Sequence, residues 1–407
     1  MSQIVLPDDV WQVILGYVIV DMSSYACTSV ICKRMYELAA IAGDITLMAG
    51  IGLENHSIVP LLSRLRNITS AYVFDHVADQ AIINVLCPRK LNLYHANNIT
   101  DMSHMTALHD VNLESCNIDT AILPPSIQRL KIMEHDLPII TDHLTSLTQL
   151  QICSYRYGPD VSAHTQLRML KMEFMITCGI LPPYAPNLRE LKLGSPVLFD
   201  YRVYTNLTKL NVRNTPCELG VLSSLTDLTI HNYVYDAENL IGCPIVKLRA
   251  HGNIVSSWRL SQISTLRSLS FIGIDMPIPH AVLKMLTQIR TLKLIAVDGF
   301  ESLAGMTMLT ALSLQRNNVV CDADIIHLTS LTKLDLRNNR VVRGYVFTAL
   351  TNLRTLLLCG ADAQLNTRIS SLTRLDVSIH TVINENVLPM DVTTGASTCT
   401  VRRYHAR

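Results

Sequence analysis

The chain has 407 residues, 49% hydrophobic and 16% charged, so it carries material for an extensive core and is not a disordered polymer. Its 34 basic and 33 acidic side chains leave a net charge of +1, which gives no bulk attraction to nucleic acid or to an acidic membrane. The 11 cysteines are spread along the chain without a Cys-x-x-Cys pair. They read as buried free thiols in a reducing, cytoplasmic compartment, with the nucleus as an alternative.

Residues 1–42 predict a small helical domain. Leu6-Pro7-Asp8-Asp9-Val10 puts proline at an opening position and acids in the first turn, where they meet the positive end of a helix dipole. Val13, Ile14, Tyr17 and Val18 then recur at helical spacing, and Asp21 to Ser24 interrupt them. Ala26, Val30, Ile31 and Met35 predict a second helix that ends before Gly43. Asp21 closes the apolar run that begins at Val13, so neither a signal peptide nor a membrane span is expected, a span needing ~20 apolar residues. Residues 43–66 read as a connector and N-terminal cap, broken by Gly43, Gly50 and Gly52.

Residues 67–380 are organised by repetition. Leu331-Thr-Lys-Leu334-Asp-Leu336-Arg-Asn-Asn339 is preceded by Leu309-Thr-Ala-Leu312-Ser-Leu314-Gln-Arg-Asn317. Equivalent first apolar positions recur from Ile68 to Leu372 at intervals of roughly 20 residues, giving about 16 repeats. Apolar residues two apart on a short strand face one way, and the residues between them face the other. One such unit cannot bury its apolar face alone, so the repeats must stack. The short period leaves little room on the return path, which predicts 3₁₀ pieces and extended segments, with helices confined to the longest repeats. Asparagine takes the turn position at Asn253, Asn317 and Asn339, and Cys116 stands in the same place. In residues 381–407, Val387-x-x-Met390-x-Val392 is expected as a last capping strand, and Val401 to Arg407 as a basic tail or binding extension.

These units are similar to leucine-rich repeats. The fold class implied is α/β, a leucine-rich-repeat solenoid with a curved parallel sheet and a mostly non-helical convex side, preceded by the helical domain. The N-terminal segment Leu6-Pro7-x-Asp-Val10-x-x-x-Ile14-Leu15-x-Tyr17, with Val30-Ile31-Cys32-Lys33-Arg34-Met35, resembles an F-box. Met35 stands where the F-box pattern carries tryptophan and Ile31 where it carries valine. The plain alternative is a helical cap over the first repeat. The joint resemblance implies a substrate-recognition subunit of a cullin-type ubiquitin ligase, acting in a cellular or a virus-infected host cytoplasm. Leu6, Pro7, Val10, Ile14, Leu15, Ile31, Cys32, Lys33 and Met35 would dock a Skp-type adaptor, and the repeats would hold a target protein. The alternative is a repeat scaffold or regulatory subunit with no ubiquitin role.

No phosphate-binding glycine loop, nucleophile elbow or zinc-spaced cysteine set occurs, so no cofactor, metal, nucleic acid or membrane partner and no catalytic residue is expected. The candidate site is the concave face. Its cations are Arg129, Lys131, Lys171, Lys192, Lys209, Arg213, Lys247 and Arg249, joined by His231 and His251. Residues in one column of neighbouring strands are in direct contact, so these groups form a basic groove suited to an acidic or phosphorylated segment of a partner. Glu134, Glu173, Glu190 and Asp227 are interleaved with them, which leaves open a merely solvated mixed-charge face. Tyr72, Phe74, Tyr94 and Phe174 place any apolar anchor toward the N-terminal half.

Overall fold

The structure, a computed structural model, describes residues 18–19, 45–49, 68–74, 80–133, 140–154, 159–174, 180–194, 201–213, 219–231, 235–252, 254–255, 257–273, 280–297, 303, 305–361, 365, 369–378 and 400–404. The chain divides into two compact units, Met1–Val197 and Leu198–Arg407.

The first unit is a run of parallel strands: β1 (Val18–Ile19), β2 (Ile45–Ala49), β3 (Ile68–Phe74), β4 (Lys90–Tyr94), β5 (Asp110–Glu114), β6 (Arg129–Met133), β7 (Gln149–Ser154), β8 (Met169–Phe174) and β9 (Glu190–Leu193). Each pairs with the next in sequence. Leu91, Val111, Leu130, Leu150, Leu170 and Leu191 stand in register and are buried. The second unit repeats the plan with β10 (Lys209–Arg213), β11 (Asp227–His231), β13 (Lys247–His251), β15 (Ser268–Ile272), β16 (Thr291–Ile295), β17 (Ala311–Ser313), β18 (Lys333–Asp335), β19 (Thr355–Leu357), β20 (Arg374–Ser378) and β21 (Thr400–Tyr404). Two short strands, β12 (Tyr235–Asp236) and β14 (Ile254–Val255), pair with each other beside that ladder. The buried leucine row runs from Leu210 and Leu228 through Leu334 to Leu375. Alternation along a strand thus divides core from surface residue by residue.

Three further rows explain the rest of the repeat. Thr148, Thr226, Thr310, Thr332 and Thr373 each follow the first leucine, and each hydroxyl donates to a carbonyl one repeat earlier at 2.9 to 3.2 Å. Immediately before the asparagine position the backbone turns left-handed, at His95, Ser115, Ala296, Arg316 and Asn338, and glycine takes that place at Gly273 and Gly360. Asn339 is fully buried: its Oδ1 accepts from the Val341 and Val342 amides at 3.0 and 2.9 Å, and its Nδ2 donates to the Asn317 carbonyl at 2.6 Å. Asn317 repeats this pattern toward Val319, Val320 and the Val297 carbonyl. Cys116 occupies the same place but bonds only backward, its Sγ accepting from the Ala96 amide of the preceding repeat at 3.3 Å and donating to the Leu93 carbonyl at 3.4 Å. Asn253 lies outside the described residues.

Return segments are short. They hold α1 (Gln80–Val85), α2 (His280–Met285), α3 (Asp322–Ile325) and 3₁₀ turns such as Thr120–Ile122 and Tyr345–Thr348. α2 and α3 fall in long repeats, as expected. α1 does not, and it forms because Ile82, Ile83 and Leu86 all bury on one side.

Two readings at the chain ends are corrected. Val18–Ile19, expected in a helical stripe, is a strand parallel to Leu47–Met48, and Ile45–Ala49 in the expected connector pairs with β3. Both are short β-branched or alternating apolar runs, which periodicity alone does not separate from helix. At the other end Val401–Tyr404, expected in a basic tail or binding extension, belongs with Thr400 to the strand that covers β20. Thr400, Val401 and Tyr404 have the strand preference for it, and an uncovered parallel edge would leave a row of unpaired backbone groups. The expected strand at 387–392 lies outside the described residues.

Candidate functional site

In the first unit the strand face opposite the leucines carries Asn92, Asn112, Lys131, Gln151, Lys171 and Lys192 in register on β4 to β9. Three of the four cations expected here meet carboxylates on adjacent strands. Arg129 Nε and Nη2 donate to Asp110 Oδ2 at 3.1 and 2.9 Å. Lys171 Nζ lies 3.0 Å from Glu190 Oε1, and Lys192 Nζ bonds Glu173 Oε1. The last two pairs cross on the diagonal, so two lysines that would repel in register are each neutralised by the other strand's glutamate. Lys131 is half-buried and forms no ion pair among the described residues. Of the expected aromatic anchors, Tyr72 and Tyr94 are half-buried, while the side chains of Phe74 and Phe174 and all of Glu134 lie outside the described residues.

The second unit differs. Lys209, Asp227 and Lys247 stand in register on β10, β11 and β13, and so do Arg213, His231 and His251. The two imidazoles stack, with centroids 4.2 Å apart and planes at 24°. Burial, and then the guanidiniums of Arg249 and Arg213, hold His251 below the usual histidine range, so it is neutral at pH 7. Arg249 Nη1 donates to Asp227 Oδ1 at 2.8 Å and reaches Thr229 Oγ1 at 3.4 Å. Next to Arg249 in register come Ser270 on β15 and Lys293 on β16, which the list of expected cations did not include. Lys247 and Lys293 are exposed and form no ion pair among the described residues. On these five strands five cationic side chains stand against one carboxylate, Asp227.

Further along the same unit the face closes on itself. Asp335 is buried under Arg337, which donates to both of its oxygens at 2.9 and 2.8 Å, and Ser313 Oγ donates to it at 3.3 Å. Asp376 is likewise held by Arg374 at 3.0 and 2.6 Å. The same column is buried at Ser313, Leu357 and these two aspartates, and elsewhere at Asn92, Thr229 and Ser270. Strands about 4.8 Å apart let long neighbours fold over a short side chain, and the Asp-x-Arg and Arg-x-Asp spacings bring each arginine back over its aspartate.

Leu6, Pro7, Val10, Ile14, Leu15, Ile31, Cys32, Lys33 and Met35 lie outside the described residues. Among the described residues no group of histidine, cysteine and acidic side chains is placed to hold a metal ion, and no helix is long and apolar enough to cross a membrane. The described cysteines are free, and burial pushes the Cys243 thiol up to about 11.

The sequence matches no family model, and no curated protein matches it. Solved structures do. The functional domain of InlJ from Listeria monocytogenes is 16% identical, with 92% of this chain and 85% of that one covered at a TM-score of 0.45. A TLR13 complex with ssRNA13 is 16% identical, with 84% of this chain and 58% of that one covered at 0.49. The leucine-rich-repeat protein LIC12759 of Leptospira interrogans is 14% identical, with 76% and 94% covered at 0.37. What this chain's own register shows is the repeat: the buried leucine row, the threonine and asparagine rows and the left-handed turn recur together.

Proposed function

We propose that the chain is a non-catalytic repeat scaffold that binds another protein through the polar sheet face. The observation that supports this is the division of labour along each strand, where buried leucines alternate with polar residues held in register on a regular backbone lattice. A rigid sheet that presents side chains of fixed spacing is a recognition surface that needs little ordering on binding. Footprinting tests it: bound partner should protect Lys247 and Lys293 from amine acylation. Protection instead at Lys284, exposed on α2, would place binding on the return segments and sink the reading.

The narrower form of the proposal makes the scaffold a substrate-recognition subunit of a cullin-type ubiquitin ligase. It is supported by the F-box resemblance of Leu6-Pro7 through Met35, with Leu6, Pro7, Val10, Ile14, Leu15, Ile31, Cys32, Lys33 and Met35 as the surface for a Skp-type adaptor. Transfer chemistry would then belong to other subunits, which this chain serves by holding the target close. The full chain should retain a purified Skp-type adaptor, and Leu6→Ala with Pro7→Ala should release it. Failure of the unaltered chain to hold the adaptor where a known F-box does would end the ligase role and leave the scaffold in place.

A further inference from the structure

Resting on the scaffold reading, we infer that strands β13 to β16 of the second unit form an oxyanion subsite, with Lys247, Arg249, Ser270 and Lys293 as its donors, that recognises a glutamate- or aspartate-rich segment of the partner protein. Three observations converge on these strands. Arg249, Ser270 and Lys293 are in register, so the two cations flank the serine at one strand spacing, ~4.8 Å, on either side. The Ser270 hydroxyl is buried, 4% exposed, and its Oγ has no hydrogen-bond partner. Buried hydroxyls are ordinarily satisfied, so an unpaired one between two cations is a donor in place for an anion. Lys247 and Lys293 add charge that no described carboxylate balances, because Asp227 is already taken by Arg249.

The spread of these groups selects the occupant. Lys247 and Lys293 lie in different columns and two strand spacings apart, on β13 and β16 with β15 between them, so they do not converge on one phosphate. A run of carboxylates on an extended peptide, spaced at ~3.3 Å per residue, can reach several of them at once. Single-stranded nucleic acid would call for aromatic side chains on which bases stack. On β13, β15 and β16 the aromatic rings are those of His251, already stacked on His231, and Phe271, buried with the leucines.

The test uses the full chain and three labelled probes of matched charge: a glutamate-rich peptide, a serine-phosphorylated peptide and a single-stranded oligoribonucleotide. The glutamate-rich peptide should bind best and weaken as salt rises. Lys247→Glu with Lys293→Glu should weaken it about tenfold or more, with the melting temperature held because both side chains are exposed. Ser270→Ala should weaken it severalfold without loss of stability, a result that a structural serine would not give. Equal binding by the double reversal or by Ser270→Ala, or preference for the phosphopeptide or the RNA, would overturn the inference. The two readings separate on the footprint: a partner that still protects Lys247 and Lys293 while the glutamate-rich peptide fails to bind overturns the acidic occupant alone, and loss of both overturns the scaffold as well.

Discussion

Within the second unit, β17 to β20 and β13 to β16 are built from the same repeat yet treat their polar groups in opposite ways. In the first region Asp335 and Asp376 are each clasped by an arginine two residues away, and Asn317 and Asn339 bond their own turn and the preceding repeat. In the second, Lys247 and Lys293 project without a described carboxylate and Ser270 Oγ has no partner. Satisfied groups stabilise the stack and have nothing left to offer a ligand. Groups left open cost some stability and are available for binding, which is the stability–function exchange expected of a recognition surface.

The largest effect should come from breaking the satisfied region. Asn339→Ala removes the acceptor for two buried amides, Val341 and Val342, and the donor to the Asn317 carbonyl. Nothing nearby replaces it, and water has no access to a fully buried site. With each orphaned group costing ~1 to 3 kcal/mol, a loss of about 3 kcal/mol is expected in urea unfolding. Binding of the glutamate-rich peptide should be unchanged under native conditions. A stability change under about 1 kcal/mol would show that the asparagine row is decorative, by the same measure.

A smaller effect belongs to His164 in the first unit, which is neither satisfied nor open. It is buried, 5% exposed, in a row held elsewhere by Leu144, Leu222, Ile263 and Leu328, and its Nε2 has no partner. Desolvation by burial is the main cause that holds it below the usual histidine range; the nearby His143 adds to this and Asp142 opposes it. The unfolded chain therefore binds the proton first. Stability from the neutral form is fully present above the unfolded value of ~6.5 and is lost as pH falls through it toward the folded value. The melting temperature should fall between pH 7 and 5. His164→Leu should flatten that slope and add about 1 to 2 kcal/mol at pH 7 by removing an unsatisfied buried nitrogen. An unaltered pH slope in the variant would locate the titration elsewhere.

Legibility in the sequence followed physical scale. The leucine row was fully legible, because burial repeats at fixed spacing and no partner choice enters. Cys116 was recognisable in place of asparagine from position alone, but its Sγ takes an amide of the preceding repeat and not those of its own turn. The basic face was legible only as a list. That Arg129, Lys171 and Lys192 would be neutralised while Lys247 and Lys293 would not depends on which carboxylate lies diagonally across, a matter of register between strands some twenty residues apart in sequence. Ser270 carried no signal of its own, since an unpaired hydroxyl is a property of its surroundings. At the N-terminus, Val18–Ile19 could extend a helical stripe or pair as a strand, and only the presence of Ile45–Ala49 decides it.

The smallest effect is the sharpest control on the comparison. The crossed pairs Lys171–Glu190 and Lys192–Glu173 lie on two adjacent strands of the first unit and remain about a quarter to a third exposed. Partly exposed pairs contribute ~0 to 1 kcal/mol each, because screening and side-chain entropy offset most of the attraction. Exchanging the signs of both, with Lys171→Glu, Glu190→Lys, Lys192→Glu and Glu173→Lys, keeps every pair and the net charge. Stability should then move by less than about 0.5 kcal/mol. Affinity for the glutamate-rich peptide should not move either, since charges already neutralised within the first unit present no field to an acidic segment. A large loss of affinity in this fourfold variant would mean that the first unit's lysines, and not Lys247 and Lys293, meet the ligand.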